Sequence, residues 1–201
     1  MMPAATAAFS DSAPPRIGSF TSMLALVICA AVFSETVHCV TIYFNQLQYL
    51  RCGLPERAIG AAFLIASLAG LCGPLSALLT RRMGRRPMGI GLLLLSALCM
   101  DLLALTRSGP LSILLVTLLS ALAALFSPLA DTLENEKIAT PDRATVLSLN
   151  AMISDSLIVL LDIGLGRAAD TSLPLALGIC GIACLGAAGL FRMVCVEPSL
   201  N

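Results

Sequence analysis

The chain has 201 residues, of which 58% are hydrophobic and 12% charged, and its formal net charge is zero. A soluble domain carries roughly 25% charged residues, so this composition predicts an all-α polytopic membrane protein. A zero net charge, with no basic and aromatic pattern in the loops or tails, excludes a nucleic-acid partner.

The predicted elements begin with a disordered cytoplasmic lead at residues 1–18 and end with a cytoplasmic tail at 198–201. Residues 19–197 between them predict one six-helix transmembrane bundle. Each apolar segment is long enough to cross a hydrocarbon core of about 30 Å, and backbone in lipid must satisfy its own hydrogen bonds. The predicted spans are 20–45, 58–80, 87–106, 110–132, 144–166 and 173–195.

Ionisable residues inside apolar segments are candidates for substrate or proton binding, because a charge within the bilayer costs about 2.5–3.5 kcal/mol or more. Glu35 and His38 lie three positions apart, on one face of the first span. Glu35 is about 22 Å along the helix from Phe20. The pair could bind and release a proton, or it could simply hold two helices together.

The fifth span carries Ser148, Asp155 and Asp162 at intervals of seven, which places them on one stripe. Asp155 is about 18 Å from Arg143 along the helix, close to the expected depth of Glu35. Asp162 is expected nearer the outer end, where solvation is the competing explanation. Both are substrate or proton candidates.

Two prolines, Pro74 and Pro128, are predicted to interrupt the second and fourth spans, since proline removes a helical hydrogen bond. Kinks of this kind could bend during gating, or they could be static features of the packing.

The Lys/Arg distribution predicts the orientation. With six spans both termini share one side, which collects eight Lys/Arg against four on the other. The positive-inside rule then places both termini in the cytoplasm and makes this a multi-pass protein of the cell (inner or plasma) membrane.

The connection Ala77–Arg86 resembles the loop signature of the major facilitator superfamily, Gly-x-x-x-Asp-Arg-x-Gly-Arg-Arg. Arg82, Gly84, Arg85 and Arg86 match it, whereas Ala77 and Arg81 replace its Gly and Asp. The stretch 46–54 looks like the end of the seventh helix of bacterial members, and 143–170 looks like their penultimate helix. The resemblance implies the C-terminal six-helix half of such a transporter, built as an inverted three-plus-three repeat.

A gating role for this loop is a further implication of the resemblance. Arg81 adds a cation where the family has an acid, so a latch needs its opposite charge elsewhere. Asp131, expected at the cytoplasmic end of the fourth span, and the nearby Glu134 are the candidates. A solvated helix end is the alternative for Asp131.

The expected function is transport of a small solute, with proton coupling as an additional hypothesis, in association with a second six-helix half or a second copy. The alternative is a non-transporting truncated subunit or gene remnant. An enzyme is not predicted, because His38 is the single histidine and no phosphate-binding loop is present. No Cys-x-x-Cys pair accompanies that histidine, so neither a metal site nor a cofactor is expected.

Overall fold

The computed structural model describes residues 17–138 and 143–194, and the chain is helical through nearly all of these ranges, with no strand in them. The helices are α1 Ile17–His38, α2 Asn45–Arg51, α3 Glu56–Ala69, α4 Leu75–Met83, α5 Arg85–Leu105, α6 Gly109–Lys137, α7 Arg143–Thr171 and α8 Leu173–Val194. A π-helical turn, Cys39–Phe44, joins α1 to α2, and a 3-10 turn, Gly70–Cys72, follows α3. The predicted lead (apart from residues 17 and 18, which begin α1) and the predicted tail lie outside the described residues.

Five helical segments of the described chain are long and apolar enough to cross a membrane, and a sixth is present if α3 and α4 form one bent span. The first runs without a break from Thr21 to Arg51, and the others are α5, α6, α7 and α8. The all-α prediction is confirmed, and the long apolar helices are compatible with membrane insertion.

The first span continues beyond residue 45, where the sequence placed its end. Its π-helical turn keeps the backbone helical into α2, and the first true break follows at Gly53, which has a φ of +73°. Glycine adopts this left-handed region readily. The next residues, Leu54 and Pro55, are extended or helix-capping, and α3 begins directly after them.

The two prolines behave differently. Between Cys72 and Leu75 the chain bends by 56°, at the Gly73-Pro74 pair. Pro128 instead lies inside α6, which continues as one helix on both sides of it. The residues around Pro128 are mostly Ala and Leu, which favour helix and carry the ladder past the one missing donor.

Two helices extend past their predicted ends. The α6 helix does not stop near Asp131 but continues to Lys137, through a stretch in which Glu134, Glu136 and Lys137 are good helix formers. The α7 helix continues through 166–170, predicted as a connection, and stops at Thr171. Ser172 then caps α8, because its hydroxyl accepts a hydrogen bond of 3.3 Å from the Leu175 amide.

Packing centres on α1, α6 and α8. The α1 helix contacts α6, α7 and α8, whereas α6 contacts α3, α4 and α5. The most extensive contact joins α5 to α8, and α4–α5, α7–α8 and α2–α6 are further contacts. Phe126 of α6 lies between Phe33 of α1 and Phe191 of α8, with ring centroids 4.5 Å and 6.0 Å away. This aromatic row forms the middle of the core.

The α7 helix is the least covered of the long helices. In its most apolar stretch 6% of the residues are buried, compared with 61% in the first span. Its contacts are with α1 and α8, so most of its surface faces away from the rest of the described chain.

Candidate functional site

Three chemically active side chains meet where α1 crosses α7. Glu35 lies on α1, Cys39 follows one turn later at the start of the π-helical turn, and Asp162 reaches them from α7. The Cys39 thiol donates to Glu35 Oε1 at 3.2 Å and lies 3.4 Å from Asp162 Oδ1. One ligand atom from each residue lies within 4.8 Å of the other two. This group is the acid–thiol cluster.

The acid–thiol cluster is buried on the α1 side and open on the α7 side. Glu35 is 6% exposed and Cys39 is 3% exposed, whereas Asp162 is exposed. Two carboxylates this close repel each other, and a shared proton or a bound cation removes that repulsion. The cluster is therefore suited to holding a positively charged species that enters from the α7 side.

The structure brings Asp162, and not Asp155, to the level of Glu35. Glu35 follows Ile17, the first residue of α1, by 18 positions, and Asp162 follows Arg143, the first residue of α7, by 19. At a rise of 1.5 Å per residue, both are about 27–28 Å along their helices. The sequence estimate began α1 at residue 20, which placed Glu35 too low.

The remaining two candidates lie outside the cluster. Asp155 is exposed on α7, two turns before Asp162. His38 is exposed, and its imidazole packs edge-on against Tyr43 with ring centroids 5.4 Å apart. His38 is thus not one of the three cluster side chains, although it lies close enough to Glu35 for a charge interaction.

A cavity of about 240 Å³ lies between α1, α6 and α7. Its walls are mostly Ala and Phe, and its polar lining consists of Ser34, Ser127, Asp131 and Ser154. The cavity and the acid–thiol cluster both include residues of α1 and α7, but no cluster residue lines the cavity. Asp131, proposed from sequence as a latch residue, is thus a wall of this cavity.

The basic loop Arg81–Arg86 forms an ion pair with α6 about one turn beyond Asp131. Arg85 and Glu136 form a two-pronged ion pair, with Arg85 Nη2 donating to Glu136 Oε1 at 2.8 Å and Nη1 donating to Oε2. Both side chains are 50% exposed. The pair links the start of α5 to the end of α6, so Glu136 is the acidic partner of the loop, a role that the sequence analysis gave to Asp131 or Glu134.

Gly84 gives this loop its shape. Its φ of +87° lies in the left-handed region, where glycine has no Cβ to clash. The Gly84 amide donates to the Thr80 carbonyl at 2.9 Å, which closes α4, and α5 begins at Arg85. Arg81, Arg82 and Arg86 are exposed around this turn.

Sequence reasoning missed a polar network at the opposite end of the bundle. Gln48, only 1% exposed, donates through Nε2 to the Thr106 carbonyl and to Ser112 Oγ, both at 3.1 Å. Arg51 Nη1 donates to the Ala104 carbonyl at 3.4 Å. These bonds fasten α2 onto the connection between α5 and α6. The glutamine in an otherwise apolar stretch was the available signal.

Comparison with protein-family models, with curated proteins and with solved structures found no match.

Proposed function

We propose that the chain forms one six-helix half of a secondary transporter of the major-facilitator type, built from two inverted three-helix repeats. The observation that supports this proposal is the pattern of helix contacts. With α3 and α4 counted as one bent span, the chain has six spans. If the first three spans are exchanged in order with the last three, every contact between spans becomes a contact that is also present. Inverted repeats produce such a pattern.

Span one exchanges with span four, span two with span five, and span three with span six. The α1–α7 contact becomes the contact of α3 and α4 with α6, and α1–α8 becomes α5–α6. The α7–α8 contact becomes α4–α5. The remaining contacts, α1–α6 and α5–α8, map onto themselves. Short connections make successive spans antiparallel, so two triples in one chain have opposite orientation.

The polar stripe on α7 supports a water-filled path beside this helix. Ser148, Asp155 and Asp162 are all exposed, on the helix that the bundle covers least. Carboxylates facing lipid would each cost about 2.5–3.5 kcal/mol or more. A second six-helix bundle, either another chain or a second copy, would shield this face and enclose the solute path in a cell membrane, with both termini cytoplasmic.

Cysteine labelling in membranes tests this proposal. In a background without native cysteines, Ser148→Cys and Asp155→Cys are treated with a membrane-impermeant thiol reagent. Leu160→Cys is the matched control, because Leu160 is 68% exposed but lies about 140° around α7 from Asp155. The stripe variants should react at least about tenfold faster, since the reactive thiolate forms in water and not in lipid.

Equal rates at all three positions would reject the aqueous path. That result would favour a membrane subunit that does not transport.

A further inference from the structure

We infer that the acid–thiol cluster of Glu35, Cys39 and Asp162 is a binding site for a divalent transition-metal cation of the zinc class. Binding at this site does not require that the chain transport anything, so it stands separately from the proposed function. Three features of the cluster support a metal site: the geometry of the three side chains, their donor atoms and the charge they bury.

The distances are close to those around a tetrahedral metal ion. Zinc bonds of about 2.0–2.3 Å separate neighbouring ligand atoms by roughly 3.4–3.7 Å. In the cluster, Sγ of Cys39 lies 3.2 Å from Glu35 Oε1 and 3.4 Å from Asp162 Oδ1. All three atoms fall within 4.8 Å of one another. Side-chain adjustments of about 1 Å or less would bring them to ligating distance.

The donor set favours zinc over magnesium or calcium. The two carboxylates supply oxygen, which all of these ions accept, but Cys39 supplies sulfur, which suits borderline and soft metals. Cys39 would lose its proton on binding, because the thiolate is the form that ligates a metal. With three protein ligands, the fourth position would remain open on the side where Asp162 is exposed.

Buried charge provides an independent reason. Buried carboxylates are normally paired with a cation or coordinate a metal. Within the described ranges, an acidic and a basic side chain form an ion pair at Arg85–Glu136, which joins the start of α5 to the end of α6. Glu35 therefore lies 6% exposed beside a second carboxylate, without a Lys or Arg to offset the charge. A divalent cation would neutralise both acids.

The proposed site differs from the sequence expectation of no metal site. That expectation rested on the lack of closely spaced ligand motifs, whereas Cys39 and Asp162 are 123 positions apart. The fold brings α7 against α1, and the metal ligands come from both helices. Binding would consequently fasten α7, the least covered helix, to the core.

Cobalt(II) is a suitable probe, because a cobalt–thiolate bond gives a charge-transfer absorption in the near ultraviolet. The purified full chain in detergent is titrated with cobalt, and zinc is then added to displace it. We expect saturation at one equivalent and loss of the band on adding zinc. Cys39→Ser should abolish the band, whereas Cys180→Ser, which changes a buried cysteine of α8, should retain it.

The carboxylate variants use Asp155→Asn as their control. Glu35→Gln and Asp162→Asn should each weaken cobalt binding at least about tenfold, a loss that changes around a metal site commonly reach. Asp155→Asn should bind as the wild type does. A band that survives Cys39→Ser, or equal losses for Asp155→Asn and Asp162→Asn, would overturn the assignment.

A measurement on the unmodified chain keeps the inference testable if Cys39→Ser fails to fold. X-ray absorption of the zinc-loaded protein should show one sulfur at about 2.3 Å and the remaining ligands as oxygen or nitrogen near 2.0–2.2 Å. A zinc shell without sulfur would exclude Cys39 as a ligand and reject the site.

Discussion

The Ser76 hydroxyl donates a hydrogen bond of 2.7 Å to the backbone carbonyl of Leu125, which joins α4 to α6 beside the prolines of both spans. Pro128 has no N–H for the carbonyl four residues earlier, that of Ala124. A Cβ built on Gly73 would lie 3.5 Å from this same Ala124 oxygen. The bend at Gly73-Pro74 therefore packs directly against the stretch of α6 whose hydrogen-bond ladder Pro128 interrupts.

The first prediction concerns this bond. Ser76→Ala should lower the free energy of unfolding in detergent by about 1 kcal/mol, because it removes a buried hydrogen bond between two helices. Ser67→Ala is the matched control, since the exposed Ser67 hydroxyl bonds only to the Phe63 carbonyl of its own helix. Equal stability of the two variants would show that the Ser76 bond contributes nothing.

Both prolines could be identified from sequence, but their relationship could not. Composition alone does not say that Pro74 breaks its span whereas Pro128 leaves α6 continuous. Gly73 and Pro74 are adjacent and each disfavours helix, whereas Pro128 is followed by a run of residues that favour helix. That the two prolines lie in contacting regions depends on tertiary packing, which no local pattern contains.

The second prediction concerns the ion pair of Arg85 and Glu136. A double-mutant cycle with Arg85→Gln and Glu136→Gln should give a coupling energy of about 0.2–1 kcal/mol, because both groups are half-exposed. The coupling should fall as salt is added, since exposed charges are screened. Arg86→Gln paired with Glu136→Gln is the control cycle and should show less coupling. Additive effects of Arg85→Gln and Glu136→Gln at low salt would mean that the pair does not form in solution.

The sequence indicated which type of residue forms the candidate site, but not which residues come together there. Glu35 stands out because an acid in an apolar run is costly. The sequence analysis placed Asp155, and not Asp162, near the depth of Glu35 in the membrane. The depth of a residue depends on where its helix begins, and α1 begins three residues earlier than expected. The acidic partner of Arg85 was missed for a similar reason. The α6 helix runs six residues past Asp131, which places Glu136 beside Arg85.

The third prediction concerns proton coupling through Glu35 and Asp162. Proteoliposomes with a pH gradient are screened with radiolabelled sugars, organic acids and organic cations. For any solute accumulated, Glu35→Gln and Asp162→Asn should abolish accumulation but keep exchange, because a neutral side chain cannot bind and release the proton. His38→Asn, which alters the exposed ring outside the cluster, should retain accumulation. If Glu35→Gln still accumulated the solute with unchanged pH dependence, proton coupling at this site would be excluded.

The fourth prediction concerns two glycines at the contact of α5 with α8. A Cβ on Gly89 would overlap the ring of Phe191, which is 0% exposed and cannot move aside, and a Cβ on Gly181 would overlap the Asp101 carboxylate. Gly89→Ala and Gly181→Ala should each lower the free energy of unfolding by about 1–3 kcal/mol through overpacking. Gly91→Ala and Gly178→Ala are matched controls on the same two helices, because nothing lies within 4 Å of their added Cβ. Alanine there should stabilise by up to about 1 kcal/mol, the difference in helix propensity. If all four variants unfold alike in detergent, the α5–α8 contact is not as close as the structure has it.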